Sequence, residues 1–458
     1  MTRTHLLRRS APAALALLLA LAAPAAAHTR LESSSPAAGS TVPAGVREIR
    51  IRFTQRVEAR FTSLGVLHDG AALLLTDSVR PVPGSGGREF VLAVPDGLPA
   101  GAYDVTWRTA GADGHVITGR FAFRVAPSSA DTVAPAVAHD QTRVAPPGVS
   151  AAPRETSLLP VAVRWAGYLA LLGMIGAVGF TLAVADRLRR AGTHAAAADR
   201  AAYGAWLLAL AAAALSVGAL AGRLWVQSAA LNGARALEGE RLEALLTGTT
   251  WGSAWVLQAV ATLAFVVGLF VARAPHGRGV GWMGAAVGAF LLAWVPALSG
   301  HAAAAERLTA LSIVADTVHV LGAGVWLGTL AVLLAAGLPA ALAGPDGGQP
   351  ALAAMVNAFS PVALAGAGAL GATGVVNSLF HLSEPAELLG TAYGRALLLK
   401  LALLGVVAAI GLFNWRFVRP RLDAPAAAAR LRRTAATELA FGALVVLVTA
   451  VLVALPTP

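Results

Sequence analysis

The distribution of apolar residues divides the chain into two regions with different periods. Between about residue 28 and residue 125, apolar and polar positions alternate. In REIRIRF, Ile49, Ile51 and Phe53 fall on one side and the charged residues on the other. YDVTW and RFAFRV show the same period of two, and turns such as VPGSGG separate these stretches. This alternation is typical of half-buried strands. It predicts an all-β domain over residues 28–125, built as a small antiparallel sandwich or barrel.

From about residue 158 the pattern changes to long apolar runs. Each is about 20 residues or more, which is long enough to cross a bilayer. Eight runs can be counted, at about 159–184, 201–222, 251–272, 279–298, 311–337, 354–377, 395–415 and 435–455. They predict an all-α, polytopic membrane bundle of about eight helices over residues 158–458. Gly-rich stretches such as GAGALGATG favour close packing between these helices.

Two further segments flank the β domain. Residues 1–27 have the features of a secretory signal peptide, with arginines near the start, an apolar stretch at Leu15–Leu21 and small residues at Ala25–Ala27. Cleavage after Ala27 would make His28 the first residue of the mature chain. Residues 126–157 are rich in Pro, Ala, Ser and Thr and have no periodicity, so they predict an extended linker.

Charge and composition limit the function classes. The 458 residues carry a formal net charge of +11, but the basic residues are spread over short segments between the apolar runs. We therefore expect a membrane protein and no nucleic-acid partner. If the signal peptide places the β domain outside, the predicted inner loops hold most of the arginines, as the positive-inside rule requires. The predicted outer loops hold only a few, namely Arg223, Arg235, Arg241 and Arg307, apart from Arg395 at a helix edge.

One short motif in the β region suggests a metal site. GADGH places Asp113 and His115 two residues apart in a Gly-rich turn, so in extended chain both side chains point the same way. The amine and imidazole of His28 could complete a set of three nitrogens and one oxygen. That set suits tetragonal Cu(II), whereas Zn²⁺ accepts similar atoms but prefers a tetrahedron. The chain has no cysteine, which excludes thiolate ligands. The alternative for DGH is an ordinary turn.

Ionisable residues inside the apolar runs are a second signal, because such groups are costly in a bilayer and mark functional sites. Asp316 and His319 in the fifth run are spaced i, i+3 and share one helix face. His301 follows the fourth run on the same predicted outer side, and His381 is expected in the next outer loop. We interpret His301, Asp316 and His319 as candidates for a path for copper. The alternative for His319 is an interhelical hydrogen bond, with Asp316 as its partner.

Longer stretches resemble known families. HTRLESSSPAAGSTV, REIRIRFTQRVE and GAYDVTWRTAGADGHVITGRFAFRV resemble the CopC family of periplasmic copper-binding proteins. The resemblance implies an Ig-like Greek-key sandwich in which His28, Asp113 and His115 bind Cu(II). Some members add a Met-rich Cu(I) site, but this chain has no methionine between His28 and the first apolar run. His68 is expected to be a solvated turn residue.

The second half resembles the CopD family of copper-related inner-membrane proteins. The similar stretches are GHAAA, DTVHVLGAGVWLGTL and TAYGRALLLKLALLGVVAAIGLFNWRFVRPRL, within residues 295–420. Together the two resemblances imply a CopC–CopD fusion in the bacterial inner membrane, with its N-terminal domain in the periplasm. Such a protein would capture Cu(II) and transfer copper to or across the membrane for uptake, homeostasis or resistance. Its partners would be copper ions, the lipid bilayer and periplasmic or cytoplasmic copper acceptors.

Three points remain open at this stage. Cu(I) is a candidate species in the membrane domain only if a reductant acts first. Met174, Met283 and Met355 are expected to fill packing gaps between helices and not to bind Cu(I). We expect no enzyme activity, but a membrane-anchored oxidative enzyme with an N-terminal copper brace is one alternative. A haem-binding electron carrier is another. It needs paired histidines in facing spans, and His319 alone is clearly intramembrane in the sequence pattern.

Overall fold

The computed structural model describes ten stretches of the chain: residues 30–76, 79–94, 96–111, 116–127, 158–192, 194–299, 309–344, 348–381, 387–424 and 426–455. The predicted signal peptide and almost all of the predicted linker lie outside these residues. By internal contacts the chain divides into two units. Residues 225–253 group with the β domain, and the other described helical residues form the second unit.

Within the described residues, the β domain has nine strands in two sheets, ordered β1-β3-β7-β6 and β2-β9-β8-β4-β5. A single 3-10 turn, Ala59–Phe61, precedes β4. The strands are β1 Leu31–Ser35, β2 Thr41–Val42, β3 Glu48–Phe53, β4 Ser63–His68, β5 Ala71–Thr76, β6 Arg80–Pro81, β7 Glu89–Ala93, β8 Gly101–Ala110 and β9 Val116–Val125.

The alternating pattern places one face of each sheet in a shared core. Ile49, Ile51 and Phe53 of β3 are fully buried, and the ring of Phe53 meets that of Trp107 edge-on with centroids 5.1 Å apart. Because these two rings belong to different sheets, the contact makes the domain a sandwich, as predicted. The strands pair in antiparallel fashion, as predicted, except at one edge, where β2 pairs with β9 in parallel. The reason is that the short β2 arrives from the other sheet and not through a hairpin.

Among the described residues, eight helical spans are long and apolar enough to cross a membrane, which agrees with the predicted number. They are numbered here in chain order, as spans one to eight: Leu158–Arg190, Ala195–Asn232, Thr250–Val271, Arg278–Leu298, Ala310–Leu342, Gln349–Ser378, Ala392–Arg421 and Ala427–Leu452.

The helices that build these spans and their connections have the following bounds: α1 Leu158–Phe180, α2 Asp186–Arg190, α3 Ala195–Asn232, α4 Gly239–Gly248, α5 Thr250–Val271, α6 Arg278–Leu298, α7 Thr309–Ala323, α8 Thr329–Val332, α9 Leu338–Leu342, α10 Gln349–His381, α11 Glu387–Gly390, α12 Ala392–Phe413 and α13 Ala427–Leu452. In the part of the chain that the structure describes, four π-helical segments interrupt spans one, five and seven: Thr181–Ala185, Gly324–Gly328, Leu333–Gly337 and Asn414–Val418. Two 3-10 turns are also present, Gly233–Arg235 and Arg419–Arg421.

Two loop assignments made from the sequence are wrong. Arg223 lies inside the 38-residue second span and not in an outer loop. His381 is the last residue of α10 and not part of the following loop. In both cases the helix continues past the apolar run, because backbone hydrogen bonds do not end where hydrophobicity ends.

Glycines allow the spans to approach closely, as two crossings illustrate. A Cβ on Gly328 of span five would lie 2.0 Å from the carbonyl oxygen of Leu172 in span one. A Cβ on Gly366 of span six would lie 2.8 Å from the carbonyl oxygen of Gly322 in span five. The GAGALGATG stretch therefore supports close packing, as predicted, but through Gly366 and not through Gly371, which faces open space.

Candidate functional site

The three predicted Cu(II) ligands of the β domain, His28, Asp113 and His115, lie outside the described residues. The backbone on either side of them is described. Arg30, two residues after His28, is tied to Thr54 by two hydrogen bonds. The Arg30 amide donates to Thr54 Oγ1 at 3.0 Å, and the Thr54 amide donates to the Arg30 carbonyl at 2.9 Å. The chain two residues after His28 is therefore anchored.

The GADGH stretch is anchored at a neighbouring point. Gly111, two residues before Asp113, forms an isolated antiparallel bridge with Val57. The β8–β9 pairing extends to Ala110 opposite Val116, the residue after His115. Thr54 and Val57 are three residues apart, so their Cα atoms are separated by at most about 11 Å. The segment between them thus brings the anchors of both candidate ligand segments to one end of the sandwich.

His68 lies far from this end of the sandwich. The expectation that it is a solvated turn residue is wrong. It is the last residue of β4 and pairs with Tyr103, whereas Ser63 at the other end of β4 pairs with Arg108. Tyr103 and Gly111, the residue after β8, are eight positions apart, which corresponds to roughly 26 Å along a strand. The side chain stacks on the Tyr103 ring at 4.7 Å. His68 therefore cannot share an ion with residues next to Gly111.

Tyr103 itself has an altered acidity. The residue is 1% exposed, and its hydroxyl donates a hydrogen bond to the Pro99 carbonyl at 2.7 Å. Burial raises the pKa of the Tyr103 phenol, and the nearby Asp69 carboxylate raises it further. This group supports the fold of the β domain at the end opposite the candidate metal site.

In the membrane domain, Asp316 and His319 both contact span six. Asn377 Nδ2 donates a hydrogen bond to Asp316 Oδ1 at 2.6 Å, and His319 Nδ1 lies 3.1 Å from Thr373 Oγ1. The i, i+3 spacing therefore places both side chains on one face, as predicted. The interhelical hydrogen bond considered for His319 is present, but its partner is Thr373 and not Asp316.

The Thr373 hydroxyl determines which nitrogen of His319 is protonated. Its oxygen lies 2.7 Å from the Ala369 carbonyl, which can only accept, so the hydroxyl hydrogen is directed there. The oxygen then accepts from His319, and Nδ1 carries the hydrogen. In a neutral imidazole this leaves the lone pair on Nε2, the form that a histidine needs in order to bind a metal.

The sequence reasoning missed several polar residues around this pair. Asp316 interacts electrostatically with Lys400 of span seven, with Tyr393 of the same span and with Tyr168 of span one. Lys400 also interacts with His319. Lys400 could have been found as a lone charge in the run LLLKLALLG. The positive charge of Lys400 offsets the negative charge of the Asp316 carboxylate.

Arg223, which the sequence assigned to an outer loop, also contacts other spans. In the interior of span two its guanidinium donates hydrogen bonds to Gln258 of span three and, at 3.1 Å, to Ser299 after span four. It also interacts electrostatically with Tyr168. Because Tyr168 interacts with Asp316 as well, these residues form a polar network that includes six of the eight spans, namely one, two, three, five, six and seven.

The described residues contain no group of three or more His, Asp or Glu side chains that could hold a metal ion. His301, the third predicted member of the membrane path, lies outside the described residues. Of the methionines, Met174 and Met355 are fully buried in the apolar core, while Met283 is 57% exposed on the helical surface. The two buried methionines occupy the gap-filling positions that were expected.

A buried carboxylate in span eight was also missed, although TELAFGALVV places a glutamate in an apolar run. Glu438 is 2% exposed. Its Oε1 accepts a hydrogen bond from Trp326 Nε1 at 3.2 Å, and its Oε2 accepts one from Asn414 Nδ2 at 3.0 Å.

Comparison with known families gives three matches along the chain. Residues 31–126 match the family described as CopC domain. Residues 155–311 match the copper resistance protein D-like, N-terminal domain, and residues 353–452 match copper resistance protein D.

Individual relatives agree with these matches. The chain is 26% identical over 444 residues to the copper transport protein CutJ of Bacillus subtilis, covering 94% of this chain and 74% of the relative. It is 33% identical over 114 residues to copper resistance protein C of Escherichia coli, covering 24% of this chain and 90% of the relative. The crystal structure of CopC from Methylosinus trichosporium OB3b is 30% identical and covers 22% of this chain and 95% of that one, with a TM-score of 0.20.

Proposed function

Since the chain belongs to the CopC and CopD families of copper resistance proteins, joined here in one polypeptide, we propose that its β domain captures Cu(II) and that its eight-span domain accepts the copper and passes it through the membrane. The family membership and the eight spans make the protein a multi-pass membrane protein. The matches place it among copper resistance and transport proteins. The division of labour between the two domains is our proposal.

The proposed Cu(II) site consists of the amine and imidazole of His28, the carboxylate of Asp113 and the imidazole of His115. One observation supports this site: the Arg30–Thr54 hydrogen bonds and the Val57–Gly111 bridge anchor both ligand segments at one end of the sandwich. Each proposed ligand then lies within two residues of fixed backbone. A donor set of three nitrogens and one oxygen suits Cu(II). We propose no catalytic step.

For the membrane step we propose a path through His301, Asp316 and His319. The hydrogen bond from His319 to Thr373 supports it, because it leaves Nε2 available as a ligand. The Asp316 carboxylate offers negative charge on the same helix face, balanced by Lys400 in the absence of copper. If copper travels here as Cu(I), a reductant must first supply one electron to each Cu(II) ion.

We place the protein in the bacterial inner membrane with the β domain on the periplasmic side. The signal-like residues 1–27 and the positive-inside distribution of arginines support this orientation. The predicted linker over residues 126–157 would hold the β domain at millimolar effective concentration above the membrane domain. Copper could thus be transferred without release into the periplasm and be delivered to acceptors beyond the membrane.

Copper accumulation in cells tests the proposal. We expect His319→Ala to abolish uptake at all copper concentrations, and His28→Ala to reduce it only when copper is scarce. Two other histidines serve as matched controls, His68→Ala in the β domain and His276→Ala between spans three and four. Both should accumulate copper as the wild type does. Equal accumulation in the wild type, His28→Ala and His319→Ala would refute the transfer scheme.

A further inference from the structure

Glu438 is a buried acid whose hydrogen-bond donors are both neutral. The Trp326 indole comes from span five and the Asn414 amide from span seven, so three spans meet at this carboxyl group. A Cβ on Gly411, one turn before Asn414, would lie 3.2 Å from Glu438 Oε1, so a glycine leaves the room for the carboxyl group.

No cation compensates this carboxyl group among the described residues. Spans one, five and seven pack against span eight. Together with span eight itself, they carry these titratable residues: Arg164, Tyr168, Asp186, Arg187, Arg189, Arg190, Asp316, His319, Tyr393, Arg395, Lys400, Arg416, Arg419, Arg421, Arg430, Arg432 and Arg433. Within the described part of the chain, none of them forms an ion pair with Glu438 or interacts with it electrostatically. An unpaired ionised carboxylate at such a position is strongly disfavoured, and protonation removes its charge.

Both donors lie in π-helical segments. Trp326 is the central residue of Gly324–Gly328, and Asn414 is the first residue of Asn414–Val418. Such segments are rare and are often found at functional sites. A π-helical turn can revert to α-helical geometry and thereby shift its side chains. The two contacts to Glu438 are therefore placed where the helices can change conformation.

The side-chain amide of Asn414 can form a hydrogen bond with either protonation state of the Glu438 carboxyl group. Its Nδ2 donates to the carboxylate, while its Oδ1 is buried and has no hydrogen-bond partner. A protonated Glu438 has one O–H donor. If the Asn414 amide flips by rotation about χ2, its Oδ1 accepts the hydrogen of the protonated Glu438 carboxyl group. This oxygen then gains the hydrogen-bond partner that it lacks.

From this arrangement we propose that Glu438 is a proton-binding site of the membrane domain, which takes up and releases one proton as copper moves through. The step is a simple proton exchange, in which the carboxylate binds H⁺ from water on one side of the membrane and later releases it to the other. The proposal rests on the proposed transport of copper. Trp326 lies seven residues, or about two turns, after His319 on span five. Copper at His319 can therefore alter the contact between Trp326 and Glu438.

The test uses the full-length protein in liposomes that enclose a pH-sensitive dye. Copper is added outside, and both internal copper and internal pH are recorded. For the wild type we expect copper entry together with a copper-dependent change in internal pH. Glu438→Gln keeps the shape of the side chain but cannot exchange a proton, so the pH change should be lost. The matched control, Glu240→Gln on the exposed helix α4, should behave as the wild type does.

A wild type that moves copper without any pH change, or a Glu438→Gln variant that retains the pH change, overturns the proposal while the transport function stands. Infrared spectroscopy distinguishes a failure of this proposal from a failure of copper transport itself. The wild type should show the C=O stretch of a protonated carboxylic acid that titrates with pH, and Glu438→Gln should lack it. Absence of this band in the wild type also overturns the proposal, whether or not copper is transported.

A third variant covers the case in which Glu438→Gln does not fold. Asn414→Ala leaves the acid in place and removes one of its two hydrogen bonds. It should retain the infrared band but shift the pH at which the band titrates. An unchanged titration would contradict the assignment of the band to Glu438.

Discussion

Arg30 and Thr54 exchange two hydrogen bonds, from the Arg30 amide to the Thr54 hydroxyl at 3.0 Å and from the Thr54 amide to the Arg30 carbonyl at 2.9 Å. The first of these uses a side chain and the second only backbone. The backbone bond continues the β1–β3 pairing, whereas the hydroxyl bond fixes the backbone amide of Arg30. Because His28 is two residues away, we expect the Thr54 hydroxyl to position the first ligand of the proposed copper site.

We predict that Thr54→Val weakens Cu(II) binding about two- to tenfold, because it removes a hydrogen bond worth about 0.5–1.5 kcal/mol. The measurement is a competition titration with a Cu(II) chelator of known affinity, on protein whose mature chain begins at His28. Thr54→Ser retains the hydroxyl and should bind as the wild type does. Wild-type affinity in Thr54→Val would show that the hydroxyl does not position the ligand.

The same ligand set predicts a dependence on pH. A free imidazole titrates near about 6.5 and an α-amine near about 7.8, and Cu(II) must displace these protons. Affinity should therefore fall as the pH drops below neutral, with the chelator competition repeated at each pH. A titration that is flat from about pH 8 to pH 5 would contradict the proposed amine and imidazole ligands.

A second pH effect concerns the stability of the β domain at alkaline pH. Burial, and then the Asp69 carboxylate, raise the pKa of Tyr103 in the folded state. Folding therefore favours the neutral phenol. This contribution is fully present below the unfolded value of about 10 and is lost as the pH rises through the folded pKa.

The corresponding variant is Tyr103→Phe. It also removes the hydrogen bond to Pro99, so it should lower the free energy of unfolding by about 1 kcal/mol at neutral pH. The difference from the wild type should narrow above about pH 10. Urea unfolding of residues 28–127, a domain with its own core, can be followed by the fluorescence of Trp107, the only tryptophan in this segment. A gap that does not change with pH would show that Tyr103 ionises equally in both states.

The crossing of spans one and five gives a prediction for the membrane domain. Gly328→Leu should destabilise the bundle by about 3 kcal/mol, because the new Cβ meets the backbone oxygen of Leu172, which cannot move aside as a side chain can. Gel filtration in detergent should show loss of monodisperse protein. Gly371→Leu adds the same side chain where there is open space and should be tolerated. Equal behaviour of the two variants would place the crossing elsewhere.

Much of the architecture follows from periodicity. The period of two in REIRIRF predicts that Ile49, Ile51 and Phe53 are buried, and all three are. The apolar runs predict eight spans, because a bilayer imposes its thickness on each helix separately. Helix ends are less well predicted. Arg223 lies inside a helix whose polar residues find hydrogen-bond partners on neighbouring spans.

The candidate site divides in the same way. The sequence by itself determined the β-then-helical architecture, the spacing of Asp113 and His115, and the shared helix face of Asp316 and His319, because these depend on residues close together in the chain. Only the tertiary structure decided that Thr373 directs the tautomer of His319 and that Lys400 interacts electrostatically with Asp316. It also decided that Trp326 and Asn414, 112 and 24 residues from Glu438, enclose its carboxyl group. The reason is that a contact between distant residues depends on which helices pack together and in what rotation, and the local pattern of polar and apolar residues does not specify either.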